Sequence, residues 1–162
     1  MLKRLSVAAT VVLALVFVAA FSMRGTAEMA GPPLKELTIV TAKNDTYHFS
    51  VEIADTPTSR EMGLMFRKDM AVDGGMFFWF PSSQVRYFWM KNTLIPLDML
   101  FVDDSGAIVH IVDSAIPQSL TPRGTNIPTR AVVELLGGTA KKLGLAVGDH
   151  VFCAPYFVPG DN

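Results

Sequence analysis

Leu97-Asp98-Met99-Leu100-Phe101-Val102-Asp103-Asp104-Ser105-Gly106-Ala107-Ile108-Val109-His110-Ile111-Val112 is the stretch whose reading decides the fold. Two apolar runs flank a polar tetrad that ends in glycine, and each run is too short for a buried helix. Glycine reaches the positive φ that a tight reversal needs, so the stretch reads as a β-hairpin. Upstream, Leu37 to Ala42 and Tyr47 to Ala54 read as strands joined by a turn at Asn44-Asp45. In the second strand Tyr47, Phe49, Val51 and Ile53 alternate with His48, Ser50 and Glu52, the period-2 pattern of a half-buried strand. Met76 to Phe80 is an aromatic strand that Pro81 is expected to stop, and Val85 to Met90 is expected to be the next strand. Arg130 to Leu136 and a closing run at His150 to Cys153 complete the set. Thr56-Pro57 signals a helix start and Gly63 its end; a second short helix spans Thr139 to Leu143 and stops at Gly144. Asp113 to Thr129, with three prolines, reads as a long ordered loop. The expected fold is mainly β: a single small sandwich or partly open barrel, largely antiparallel, with two short helices.

Lys3 and Arg4 precede an uncharged run from Leu5 to Phe21, the pattern of an export signal. Residues 1–27 are therefore read as a signal peptide or N-terminal membrane anchor, 28–36 as a linker containing Gly31-Pro32-Pro33, and 37–158 as one β-rich domain. This organisation implies a periplasmic or secreted protein that touches a membrane only through its N-terminal segment. Removal of residues 1–27 leaves 11 basic against 15 acidic residues, a net charge of −4, which disfavours a nucleic-acid partner. Cys153 is the only cysteine, so no intramolecular disulfide forms, and its apolar strand context reads as packing rather than nucleophilic chemistry.

Phe88-Trp89-Met90-Lys91-Asn92-Thr93, followed by Ile95-Pro96-Leu97-Asp98, is the least generic string in the chain. Gly63-Leu64-Met65-Phe66-Arg67, Gly75-Met76-Phe77-Phe78, Val133-Glu134-Leu135, Leu143-Gly144 and Val147-Gly148-Asp149 accompany it in order. Together these motifs, from Leu37 to Phe152, resemble a prokaryotic family known as domain of unknown function number one-nine-two. The resemblance implies a small β fold, often behind a signal or lipid anchor, and carries over no catalytic residues. Trp79 adds bulk to the aromatic run relative to that family's pattern.

No Gly-x-Ser-x-Gly elbow, phosphate-cradling glycine loop or His-Glu-x-x-His helix is present. His48, His110 and His150 fall on separate predicted strands, and Met62, Met65, Met70, Met76 and Met90 sit among apolar neighbours as packing residues do, so neither zinc nor copper(I) is expected. No cofactor is expected either. The densest polar grouping is Lys91, Asn92 and Thr93, with Trp89 beside it and Arg67, Asp98 and Glu134 elsewhere. These seven residues are the candidate ligand-binding set, because an aromatic face flanked by cationic and amide donors is the ordinary make-up of a small-ligand cleft. The competing structural reading has Trp89 in the core and Lys91 paired with Asp98 or Glu134 to hold a turn. The favoured function is a monomeric, non-catalytic binding or accessory module for a polar small molecule or cell-envelope partner. The alternatives are a small hydrolase or lyase using Asp98 with Glu134 or Asp103, and a structural partner of another envelope protein through an exposed patch of Trp79, Phe80 and Tyr87.

Overall fold

The computed structural model describes residues 32–158. The segment 1–27, read as a signal or anchor, and residues 28–31 of the expected linker lie outside them. Seven strands follow the chain as β1 (Lys35–Val40), β2 (Thr46–Ala54), β3 (Gly74–Phe88), β4 (Leu97–Val102), β5 (Ile108–Ala115), β6 (Arg123–Leu136) and β7 (His150–Phe152). Helix α1 (Pro57–Met62) lies between β2 and β3, and α2 (Thr139–Leu143) between β6 and β7. The strands form one sheet in the order β5-β4-β6-β3-β2-β1-β7. Every pairing is antiparallel except β2 with β3, whose connection carries α1. The sheet curls until its outer strands approach: Ala107 bridges His150, and the Ile108 N–H donates to the Asp149 carbonyl at 2.8 Å. The expected mainly antiparallel, partly open barrel with two short helices is the fold found.

Alternation along the central strands sorts the core into two clusters, one on each face of the sheet. Leu37, Ile39, Val51, Phe77, Leu100, Val133 and Val151 form the first with α2 residue Ala140 and the C-terminal Phe157. Met76, Phe78, Leu97, Met99, Phe101 and Val132 form the second, with Leu64 just after α1 and Met90 just after β3. The central strands are buried on both faces, which explains why β4 reads as an unbroken apolar run interrupted only by Asp98.

Local chemistry places both helices where the sequence puts them. The Thr56 hydroxyl accepts from the Ser59 N–H at 3.1 Å while Ser59 Oγ accepts from the Thr56 N–H at 3.0 Å, a reciprocal cap that starts α1. Gly144, at φ 69°, ends α2. At the hairpin, Asp103 Oδ1 accepts from the Ser105 and Ala107 N–H groups at 2.9 and 3.0 Å, and Gly106 turns at φ 85°.

Two expectations fail around the prolines. Pro81 does not stop the aromatic strand, because β3 continues to Phe88 and the expected separate strand at Val85–Met90 is its second half. The β3–β6 register breaks between Trp79 and Gln84, so Pro81 falls where the ladder is already interrupted and no N–H is required of it. The segment 113–129 is likewise not all loop. Strand β5 reaches Ala115 and β6 begins at Arg123, with Pro128 between the ladder pairs Gln84–Thr129 and Arg86–Thr125 where the register shifts again. Beyond this irregular zone the β3–β6 ribbon bends over the second core face as an arm, and Phe88 meets Phe78 and Phe101 edge-on at 5.2 and 5.9 Å. Gly124 permits the arm, since a Cβ there would run into the Arg86 carbonyl oxygen.

Candidate functional site

The arm, α1 and the second face of the sheet enclose a cleft of about 460 Å³. Phe78 and Glu134 come from the sheet, Arg60 to Met65 from α1 and the turn after it, and Val85 to Trp89 with Lys91 and Thr93 from the arm and its exit. The crossover between parallel β2 and β3 sets α1 against one wall. The proline-bent ribbon supplies the other.

Glu134 sits deepest among the polar groups, with 4% of its surface exposed. Its ladder neighbours are Met76 on β3 and Met99 on β4, both apolar and buried. Its carboxyl has no hydrogen-bond or ion-pair partner among the described residues, and burial away from water raises its pKa from 4.5 to about 8. The group is therefore mainly a neutral acid near pH 7, a donor as well as an acceptor.

Cations and aromatics surround the opening. The Arg86 guanidinium stacks 3.6 Å from the centroid of Phe80, and Arg60 lies 5.2 Å from the same ring. Arg86 also donates to the carbonyls of Ser82 and Thr129 at 2.6 and 3.3 Å, and Arg60 to those of Asp55 and Trp79 at 2.6 and 2.9 Å. Neither arginine meets a carboxylate among the described residues. Partial burial and the charges of Arg60 and Arg130 lower the pKa of Arg86, the mark of a cationic cluster short of anions. Lys91 extends its ammonium 5.3 Å from the Trp89 ring, and that ring is 51% exposed.

Of the seven nominated residues, Trp89, Lys91, Thr93 and Glu134 line this cleft. The other three do not. Asn92 takes a left-handed turn position (φ 55°), its carbonyl accepts from the Phe66 N–H at 2.8 Å and its amide reaches Met65 Sδ at 3.8 Å, so it locks the arm's exit to the turn after α1. Arg67 pairs with Glu52 at 2.6 Å. Asp98 is wholly buried on the opposite face of the sheet, where its carboxylate accepts from the backbone N–H groups of Ser114, Gly138 and Ala140 at 2.8, 2.9 and 2.7 Å.

That placement corrects the carboxylate pair. Asp98 sits opposite Leu135 in the β4–β6 ladder and Glu134 opposite Met99, so one-residue parity sends the two side chains to opposite faces and they cannot flank one substrate. The turn-holding pairing of Lys91 with Asp98 or Glu134 is also absent among the described residues. Trp79, Phe80 and Tyr87 do not form one patch. Trp79 packs on Tyr156 and Phe157 with the first cluster, Phe80 lies under the arginines of the second, and only Tyr87 is exposed. The sequence reading missed Arg60 and Arg86. Val85 and Tyr87 are exposed while Arg86 is half-buried, the reverse of what apolar–polar alternation suggests, so no sequence signal marks Arg86, and Arg60 reaches the cleft only through the crossover geometry.

Comparison with known proteins bears on this geometry. The model of family DUF192, described as an uncharacterized ACR, matches residues 38–153. The chain belongs to the DUF192 family. The match runs from β1 to the end of β7 and so takes in the whole sheet and the cleft. This DUF192 chain is similar to a crystal structure from Sinorhizobium meliloti 1021 described as a candidate transcription regulator, at 40% identity over 75% of this chain and 94% of that one, with a TM-score of 0.73. It is also similar to a protein of unknown function from Novosphingobium aromaticivorans DSM 12444, at 34% identity over 77% of this chain and 89% of that one, again with a TM-score of 0.73. No functionally curated protein matches it.

Proposed function

We propose that this DUF192 chain is an exported binding module that takes a polar small molecule into the cleft between α1 and the β3 arm. One observation carries the reading: Glu134 presents a carboxyl with no protein partner among the described residues to an aromatic-walled space of about 460 Å³, within the size range of small-molecule sites. No fully buried side-chain oxygen lacks a partner among the described residues, so the Glu134 carboxyl opens on the cleft, where a polar group of a ligand can reach it. Export rests on Lys3, Arg4 and the uncharged run that follows them. A fusion of residues 1–36 to a reporter active only outside the cytoplasm tests it, and a silent reporter overturns it.

Binding is tested by a fragment screen of small polar molecules followed by backbone and indole NMR. Ligands are expected to shift the Trp89 indole N–H and the amides of Arg60 to Met65, and Trp89→Ala and Lys91→Ala to weaken them at nearly unchanged melting temperature. Hits that map to the Asp98 face instead would end the cleft reading. Catalysis by Glu134 as a lone general acid is a second reading, favoured by its raised pKa in a space a substrate can enter. Chemical turnover of a bound fragment, lost in Glu134→Gln, would select it. The relative described as a candidate transcription regulator does not make this chain a DNA binder. Its described residues carry no excess of basic side chains, and three of the arginines, Arg60, Arg86 and Arg130, gather around the aromatic segment of β3.

A further inference from the structure

We infer that the cleft selects a small carboxylate with a flat apolar body, its anionic group held by Arg60, Arg86 and Lys91 at the opening and its apolar body resting among Phe80, Phe88 and Trp89 above Glu134. This deepens the binding reading and rests on it. The argument is one of charge and polarity along the depth of the cleft. Three cations of the lining meet no carboxylate among the described residues; Glu61 is the other acid of the lining besides Glu134, and Asp55, which touches Arg60 through its carbonyl, accepts from the Tyr156 hydroxyl with its carboxylate. Phe80 presents its ring to two guanidiniums, which orients them and leaves part of their donor set unspent. Deeper in, the walls are phenyl rings and thioethers, and Glu134 experiences no charge strong enough to offset its desolvation.

A cationic ligand would meet like charge at the opening. A sugar, with hydroxyls all round, would leave most of them unpaired against the apolar walls. An amphipathic anion satisfies both levels, with the carboxylate on the guanidiniums through charge-assisted bonds and the apolar body out of water.

Glu134 adds a dependence on pH. Its neutral form tolerates an anion in the cleft, whereas its ionised form repels that anion. The charged groups facing it are Arg60 and Glu61 of α1 and Arg86 and Lys91 of the arm; Glu52 of β2 is engaged by Arg67. Tyr87, the other titratable side chain of the lining, donates to Asn126, and Glu134 is the acid whose charge is at issue between pH 7 and 9.

Three probes of one shape test the inference: 2-naphthoate, 2-naphthylmethanol and 2-naphthylmethylammonium, titrated calorimetrically into the protein with Trp89 followed by NMR. The carboxylate is expected to bind about tenfold or more tighter than the alcohol, the ratio a charge-assisted hydrogen bond supplies, with the ammonium weakest. Lys91→Ala should narrow that preference, and Glu134→Gln should keep carboxylate binding while removing its decline between pH 7 and 9. Equal or tighter binding of the alcohol or the ammonium overturns the charge selectivity and leaves the binding module standing. Failure of all three to shift the cleft resonances at millimolar concentration overturns this inference, and the binding module falls with it only if the fragment screen also leaves those resonances unmoved.

Discussion

Asp98 and Glu134 are both buried carboxyl groups on neighbouring strands, offset by a single position in the β4–β6 ladder, yet the molecule treats them in opposite ways. Asp98 points into the face covered by α2, where three backbone N–H groups converge on it, two of them from Gly138 and Ala140 at the start of that helix. Glu134 points into the face covered by α1, is given no donor among the described residues, and looks into the cleft. The difference teaches that depth of burial does not identify a functional acid. The supply of local donors does: a carboxylate whose lone pairs are filled by the backbone is architecture, and one left without partners holds its capacity for something that arrives from outside.

Replacing each group breaks the comparison most sharply. Asp98→Ala should lower the unfolding free energy by about 3–5 kcal/mol in a urea titration, because three buried N–H groups lose a charged acceptor worth about 1.5–3 kcal/mol each and part of the loss is relaxed. The isosteric Asp98→Asn should still cost about 2 kcal/mol, since one amide oxygen replaces two carboxylate oxygens. If Asp98→Asn left stability unchanged, the architectural role would be wrong.

The second difference lies in pH. Glu134 holds its proton more tightly in the folded chain than in the unfolded one, so the native state binds more protons between pH 4.5 and about 8. Stability is therefore expected to fall as pH rises through that window, by at most about 1.4 kcal/mol per pH unit from this group, and to level off above it. Glu134→Gln should remove that decline and leave the protein more stable than the parent at the alkaline end. A parent and variant with parallel pH profiles would show that Glu134 finds a partner after all.

Smaller effects sharpen the picture. Arg67→Ala leaves Glu52 without its ion-pair partner and is expected to cost about 1 kcal/mol, reported by a lower urea midpoint. Lys91→Ala removes one exposed cation–π contact and should change stability by no more than about 0.5 kcal/mol, so that any loss of binding it causes is read cleanly as a loss at the cleft.

Most of the architecture was legible in the chain because its signals are local. Glycine at the Asp103–Gly106 reversal, the Thr56 cap and the strict alternation of β2 each specify conformation from within a few residues. The arm was not legible, since Pro81 and Pro128 carry the same local preference whether a strand ends there or bends through a break in its ladder. Glu134 stood out as the one charge in an apolar run from Ala131 to Leu136. Its separation from Asp98 could not be read, because parity across two strands depends on a register that neither strand encodes alone. Arg60 joins the site through the one parallel crossover, a contact between segments far apart in sequence.

The seam at Ala107 and His150 has a consequence for how copies of this molecule meet. Strand β7 is three residues long, bonded to β1 on one side and met by residues 106–108 on the other, through Val151 N–H to the Gly106 carbonyl and Ile108 N–H to the Asp149 carbonyl. Among the described residues the ladder edges left to add a neighbour are β5 beyond Ile108 and the outer sides of the β3–β6 arm. A second copy that adds by ladder extension is therefore met at β5 or along the arm, and not at β7.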